Sequence, residues 1–255
     1  MWTRRGSTRA RCLAGLIAVP SIVFVASAAA PGDVPVAVPA AATATLSAPP
    51  TVSRSPSPGT AVEPAPAAAA AAAAVRPVTA AELGATWRPG CPVPPALLRR
   101  IDLNYVGFDG RPHRGALVVH RDLVPEVIAI FDQLFRLHFP IQRMQTVDRY
   151  PGGSDELSMA DDNTSAFNCR PLPGGGQWSL HAFGRAIDLN PRRNPFVDRR
   201  GLIQPGNARP FLDRTRSDAG LLHADDPVVR AFTGRGWRWG GSWRTPVDYQ
   251  HFERR

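Results

Sequence analysis

The chain has 255 residues and a formal charge of +9, and with no lysine all 30 basic residues are arginine. Its first third is too poor in large apolar side chains to bury a core, which excludes a folded domain there and leaves about 178 residues, enough for one core. From Arg76 onward 25 arginines face 19 acids, and the excess of 6 (25 minus 19) favours an anionic partner such as a wall polymer or a nucleic acid.

Met1 to Arg11 carries Arg4, Arg5, Arg9 and Arg11 without an acid, and Cys12 to Ala26 follows as an apolar run ending in small residues. That layout predicts a secretory signal over residues 1–30, cleaved after Ala28 or Ala30, and export favours the wall over nucleic acid. A membrane anchor is the alternative, but roughly 15 apolar residues interrupted by Pro20 are short of the ~20 that a span needs. Residues 31–77 are almost wholly Ala, Pro, Ser, Thr and Val, with eight alanines from Ala67 to Ala74, and predict an extended linker acting as a tether. Residues 78–255 then form the folded domain.

Thr79 and Glu82 make a capping-box pattern that predicts a short helix before "RPGCPVP". "GALVVH", Gly115 to His120, has the β-branched content of a strand. Asp122 is placed to cap a helix running to about His138, because Val124, Val127, Ile128, Phe131, Leu134 and Phe135 recur at helical spacing; Pro140 ends it. "IQRMQTV", Ile141 to Val147, alternates as a strand does. The polar, glycine-containing stretch that follows to Trp178 is too long for a plain connection and predicts a site-building loop. "AIDLN", Ala186 to Asn190, reads as a strand, Val228 to Phe232 as a helix ended by Gly234, and the tail as a glycine turn among Trp237, Trp239 and Trp243 before a last strand near Phe252. This order predicts an α+β domain with a small, mostly antiparallel sheet and flanking helices.

Cys12 leaves with the signal, so Cys91 and Cys169 remain. In an oxidising compartment an isolated pair predicts a disulfide; a zinc-thiolate site is the rival, but no C-x-x-C spacing accompanies them.

Of six histidines, His113, His120, His138 and His223 read as structural or solvated. His181 stands seven residues before Asp188 in "SLHAFGRAIDLN", and His251 lies in "DYQHFE", three residues after Asp248. A hydrolytic zinc site needs three protein ligands and one open position, and two histidines with an aspartate form such a set. A nearby carboxylate must take a proton from water, and Asp248 is placed in sequence to do so. Residues three apart on a regular strand face opposite sides, so Asp248 must sit in a turn before His251, near Thr245 and Pro246, for both to face one metal.

"SLHAFGRAID" resembles the S-x-H-x-x-G-x-A-x-D signature of the D-Ala-D-Ala carboxypeptidase and peptidoglycan endopeptidase group, the M15 metallopeptidases. "GWRWGGSW" with "DYQHFE" looks like the closing segment of its endolysin-like branch, and "FPIQRM", "NTSAFNCR" and "NPRRNP" extend the resemblance over most of Cys91 to Glu253. The resemblance implies a hedgehog/D-Ala-D-Ala peptidase-like fold with a zinc site in a cleft, His181, Asp188 and His251 as ligands of one Zn2+, and Asp248 as general base. The D-Y-Q-H arrangement, where many members have E-x-W-H, inclines the expectation towards an L-Ala-D-Glu-type endopeptidase rather than a D-Ala-D-Ala carboxypeptidase. Arg143 occupies a strand end where similar enzymes keep an arginine near the scissile carbonyl. Ser179 is expected to orient a ligand or substrate and Gly184 to permit a tight turn, while the three tryptophans read as core and wall residues.

The expectation is a secreted or wall-associated, monomeric zinc metallopeptidase acting on peptidoglycan stem peptides. It would have no nucleic-acid partner and would touch membrane only through an uncleaved signal segment. The competing reading is a non-catalytic zinc-containing wall-binding or signalling domain, against which Asp248 stands.

Overall fold

Residues 71–172 and 175–255 are described, from a computed structural model of the chain; the expected signal and most of the expected linker lie outside them. The last part of that linker is structured. Ala74–Pro77 (β1) pairs antiparallel with Leu98–Val106 (β2), from Ala74↔Asp102 to Pro77↔Arg99. An edge strand held by its backbone needs no buried side chain, and all four residues of β1 are exposed, so composition alone could not reveal it. Thr79 then caps Ala80–Leu83 (α1): its hydroxyl accepts from the Glu82 amide, and the Glu82 carboxylate accepts from the Thr79 amide.

β2 pairs along its whole length with Pro112–His120 (β3). It has no clear period in the sequence, because Arg99, Arg100, Asp102 and Asn104 interrupt Leu98, Ile101, Leu103 and Val106 unevenly. The long helix Val124–Arg136 (α2) starts later than the Asp122 cap predicts. A one-turn 3-10 element, Arg121–Leu123, intervenes, with His120 as its cap and Pro125 opening the α-helix behind it. The expected strand over 141–147 shrinks to Arg143–Met144 (β4), paired in parallel with Asn163–Thr164 (β5). The expected loop to Trp178 contains a helix, Asp155–Ala160 (α3), capped by the Ser154 hydroxyl.

The C-terminal half supplies Ala186–Asp188 (β6), Phe196–Val197 (β7), Ile203–Gln204 (β8), the helix Pro227–Thr233 (α4), Arg238–Trp239 (β9), Val247–Asp248 (β10) and His251–Glu253 (β11). Three antiparallel sheets result, β1-β2-β3, β6-β11-β9 and β10-β7-β8, beside the parallel β4-β5 pair. The architecture is α+β, with small and mostly antiparallel sheets and few helices.

One apolar cluster joins the β2-β3 hairpin (Ile101, Leu117) to α2 (Ile130, Phe131), α4 (Phe232) and the β6-β11 ladder (Ile187, Phe252). The Phe232 ring stacks on Phe252 with centroids 3.9 Å apart. Burying each such side chain contributes ~1.5–3 kcal/mol, so β6 and β11 rest on the best-packed part of the molecule. Trp237 and Trp239 belong to this core, as expected. A smaller cluster, including Leu83, Leu98, Val118 and Phe167, surrounds the disulfide between Cys91 and Cys169, whose Cα atoms are 6.0 Å apart.

Candidate metal centre and active site

Strand alternation delivers two of the site's residues. Ile187 and Phe252 point into the core, so their neighbours Asp188 and His251 face the other way, directly opposite each other in the β6-β11 ladder. His181 arrives on a 3-10 turn, Leu180–Phe183, that stands ahead of β6. Ser179 caps this turn, its hydroxyl accepting from the His181 amide, so Ser179 acts on the site through the position of His181. Gly184 ends the turn at φ +66°, and a Cβ there would lie 2.6 Å from the His120 backbone nitrogen; only glycine allows both the turn and that approach to β3.

The three side chains converge. His181 Nε2 lies 3.1 Å from Asp188 Oδ2 and 3.1 Å from His251 Nδ1, which is in turn 3.0 Å from Asp188 Oδ1. The two histidines meet different oxygens of the one carboxylate, and one donor atom from each residue lies within 4.8 Å of the others, so the three side chains could hold a metal ion. Zinc–nitrogen bonds of about 2.0–2.1 Å in a tetrahedron would set neighbouring donors roughly 3.3 Å apart. The unused ring nitrogens are also committed: His181 Nδ1 is bonded to the Ala166 carbonyl, and His251 Nε2 lies 3.5 Å from Glu253 Oε2. Such outer contacts fix which nitrogen offers its lone pair inward. Glu253 is itself held by Arg238 at 3.2 Å.

The charges are strongly coupled. Burial alone would raise the Asp188 carboxyl, but the charge and hydrogen bond of His181, with those of His251, outweigh it and hold the group well below the usual carboxylate range. Burial likewise works against a charged His251, yet its bonds to Asp188 and Glu253 push the imidazole up to about 10. Without a cation, the ionised Asp188 favours a proton on His251; a metal ion held by the same groups would meet the same electrostatics.

Asp248 lies on β10, which pairs with β7 in a different sheet from β11, so the chain breaks its strand between Asp248 and His251. The break lets both residues line one open pocket of about 1170 Å³ together with His181 and Asp188. Asp248 Oδ1 is shielded from solvent and has no hydrogen-bond partner. Burial pushes this carboxyl up to about 7, opposed by His251 and reinforced by the charge of Asp188. Trp243 is half-buried on the pocket wall, its ring 5.6 Å from that of His251.

Arg143 is not brought to this group. Its Nε pairs with Asp161 at 2.8 Å, and it lines a separate groove, because on a two-residue strand with Met144 turned into the core its side chain is left outside. Arg170 lines the pocket of His181, Asp188 and His251 instead. One of its terminal nitrogens pairs with Asp155 at 2.9 Å, while its Nε is buried without a partner. The sequence signal for Arg170 was its place directly after Cys169 in "NTSAFNCR"; for Glu253 it was the two-residue spacing from His251, which puts both on one face of a strand. The remaining histidines stay outside the group: His113 pairs with Asp109, His120 caps its 3-10 turn, His138 follows α2 at φ +53°, and His223 pairs with Asp226.

Residues 173–254 match the family model described as D-alanyl-D-alanine carboxypeptidase. No curated protein and no solved structure matches the chain significantly. The matched segment contains His181, Asp188, Asp248, His251 and Glu253 and begins three residues after Arg170.

Proposed function

We propose that the chain, whose residues 173–254 match the D-alanyl-D-alanine carboxypeptidase family model, is a secreted, zinc-dependent hydrolase of amide bonds in peptidoglycan stem peptides. The observation that supports this reading is the convergence of His181 Nε2 and His251 Nδ1, 3.1 Å apart, on the two oxygens of Asp188, beside an unpartnered buried carboxylate oxygen of Asp248.

His181, Asp188 and His251 would hold the zinc at the floor of a substrate cleft, where it supplies Lewis acidity when bound. Asp248 takes a proton from the attacking water as its oxygen bonds to the scissile carbonyl carbon, then passes that proton to the leaving nitrogen as the C–N bond breaks. Its raised proton affinity suits both halves of that exchange. Arg170, which lines the pocket and is held by Asp155 through one terminal nitrogen, donates from its guanidinium to the carbonyl oxygen as that oxygen gains charge. Arg143 has no part in this scheme.

Export is supported by the disulfide, which belongs to an oxidising compartment. Among the described residues no helix is long and apolar enough to cross a membrane. In this proposal residues 1–30 direct secretion, 31–73 form the tether, and the catalytic unit starts at β1.

Mass analysis of muropeptides after incubation with the purified, zinc-loaded chain tests the reading. Loss of a terminal alanine identifies a carboxypeptidase, and release of the stem after its first residue identifies an L-Ala-D-Glu endopeptidase. Unchanged muropeptides with zinc bound would overturn the enzyme reading and leave a zinc-containing wall-binding domain.

A further inference from the structure

A second groove, of about 460 Å³, shares no lining residue with the metal pocket. Its walls carry Arg100 and Tyr105 from β2, Arg114 from β3, Arg143 from β4, and Arg149, against Asp102 as the only acid among the described residues of the lining. β3 and β4 meet closely at its floor: a Cβ on Gly115 would lie 2.3 Å from the Met144 carbonyl oxygen.

We infer that this arginine-lined groove is an oxyanion site that grips phosphate groups of an anionic polymer, a contact separate from the cutting site and independent of whether the chain cleaves amides. Two of the four guanidinium charges are met by acids, Arg100 by Asp102 at 2.9 Å and Arg143 by Asp161 at 2.8 Å. Arg114 is held only by neutral groups, the Asn104 side-chain oxygen and the backbone carbonyls of Ala71 and Ala72, which orient it without cancelling its charge. Arg149 is exposed, and its side chain has neither an ion-pair nor a hydrogen-bond partner among the described residues. Two uncompensated positive charges therefore face one concave surface.

The chemistry favours phosphate. A planar guanidinium offers paired donors that match two phosphate oxygens, and the half-buried Gln145 in the same lining adds a neutral amide. Nucleic acid fits less well. Its affinity for single-strand grooves draws on aromatic faces that stack on bases, and the one aromatic ring here, Tyr105, is already stacked on His113 with centroids 5.4 Å apart. A phosphodiester polymer without bases needs no such platform.

Titration calorimetry of the full chain against a glycerol phosphate oligomer tests the inference. Arg149→Glu is the principal variant because Arg149 holds nothing else in the fold; Arg114→Gln is the second. Arg209→Glu makes the same charge change at an exposed arginine in neither pocket. Arg149→Glu and Arg114→Gln should each weaken the oligomer about tenfold, and Arg209→Glu no more than about twofold. A polyglutamate of equal charge should bind more weakly than the oligomer, and a single-stranded oligonucleotide no more tightly. Equal losses in all three variants, or no binding by the wild type, would overturn the site. Tighter binding of the oligonucleotide, or polyglutamate binding as well as the oligomer, would overturn the phosphate-polymer assignment.

Discussion

His251 and Asp188 face each other across the β6-β11 ladder with 3.0 Å between Nδ1 and Oδ1, so their separation is set by backbone pairing rather than by a loop. A one-residue slip of β11 would turn His251 into the core and Phe252 out of it. The stacked Phe252 and Phe232 rings oppose that slip, and the apolar core thereby holds the register of the site.

Zinc is expected at one ion per chain, and His181→Ala or His251→Ala should abolish or greatly weaken its binding, since each removes one of three protein ligands. Metal analysis of purified variants checks this. Full zinc content in both would dismiss the ligand set.

Asp248→Asn should keep zinc yet lower turnover by on the order of 100- to 10,000-fold, because an amide cannot accept the proton. Wild-type activity should climb with pH as Asp248 ionises, along a limb that bound zinc moves below 7. Stability of the metal-free chain runs the other way. With the folded pKa at about 7 against an ordinary 3.8, the folded state keeps a proton that the unfolded state loses, so stability falls as pH rises between those values. Metal-free Asp248→Asn should therefore melt above the wild type at pH 8, with the gap closing towards pH 4.

Glu253→Gln should leave the fold intact and weaken zinc by about 10- to 100-fold, the range for losing an outer partner of a histidine ligand. Competition with a chelator measures it. Unchanged affinity would mean that the 3.5 Å contact with His251 Nε2 does not orient the ring.

Arg170→Ala should reduce turnover by on the order of 100- to 1,000-fold with zinc retained, as expected for a donor to a developing oxyanion. Arg143→Ala should stay near wild type, since Arg143 pairs with Asp161 in the other groove. The reverse ranking in steady-state kinetics would restore Arg143 to the mechanism.

Thiol titration of the unfolded, unreduced chain should find no free thiol at Cys91 or Cys169. Their bridge spans 78 positions, for which chain entropy gives a stabilisation of roughly 4 kcal/mol as an upper figure. Cys169 immediately precedes Arg170, so reduction should lower turnover before it releases zinc. Zinc loss that precedes the fall in activity would show that the bridge supports the metal group instead.

The convergence of His181, Asp188 and His251 is legible in the sequence because these residues sit in short motifs: His181 and Asp188 flank a glycine turn, and Asp248 and His251 flank a strand break. β11 and α4 were legible for a related reason, each having a clean start or stop. β1 and β2 were not. β1 is held by backbone bonds at an exposed edge, and β2 is laced with arginines that stay at the surface. Arg143 lines the second groove rather than the pocket of His181, because spacing along a strand does not say which of two pockets a side chain enters, and Met144 packing into the core decides it.

The four-residue edge strand β1 also decides how the chain bears mechanical load. If residues 31–73 act as the proposed tether and are drawn taut, tension meets the described fold at Ala71 and Ala72 and then at the Ala74↔Asp102 end of the β1-β2 ladder. The grip of Arg114 and Asn104 on the carbonyls just upstream gives way first. The Cys91–Cys169 cross-link lies further along the chain, as does the β6-β11 ladder that holds Asp188 and His251. In the proposed tethered enzyme, a pull from upstream would thus load β1 before it reached His181, Asp188 and His251.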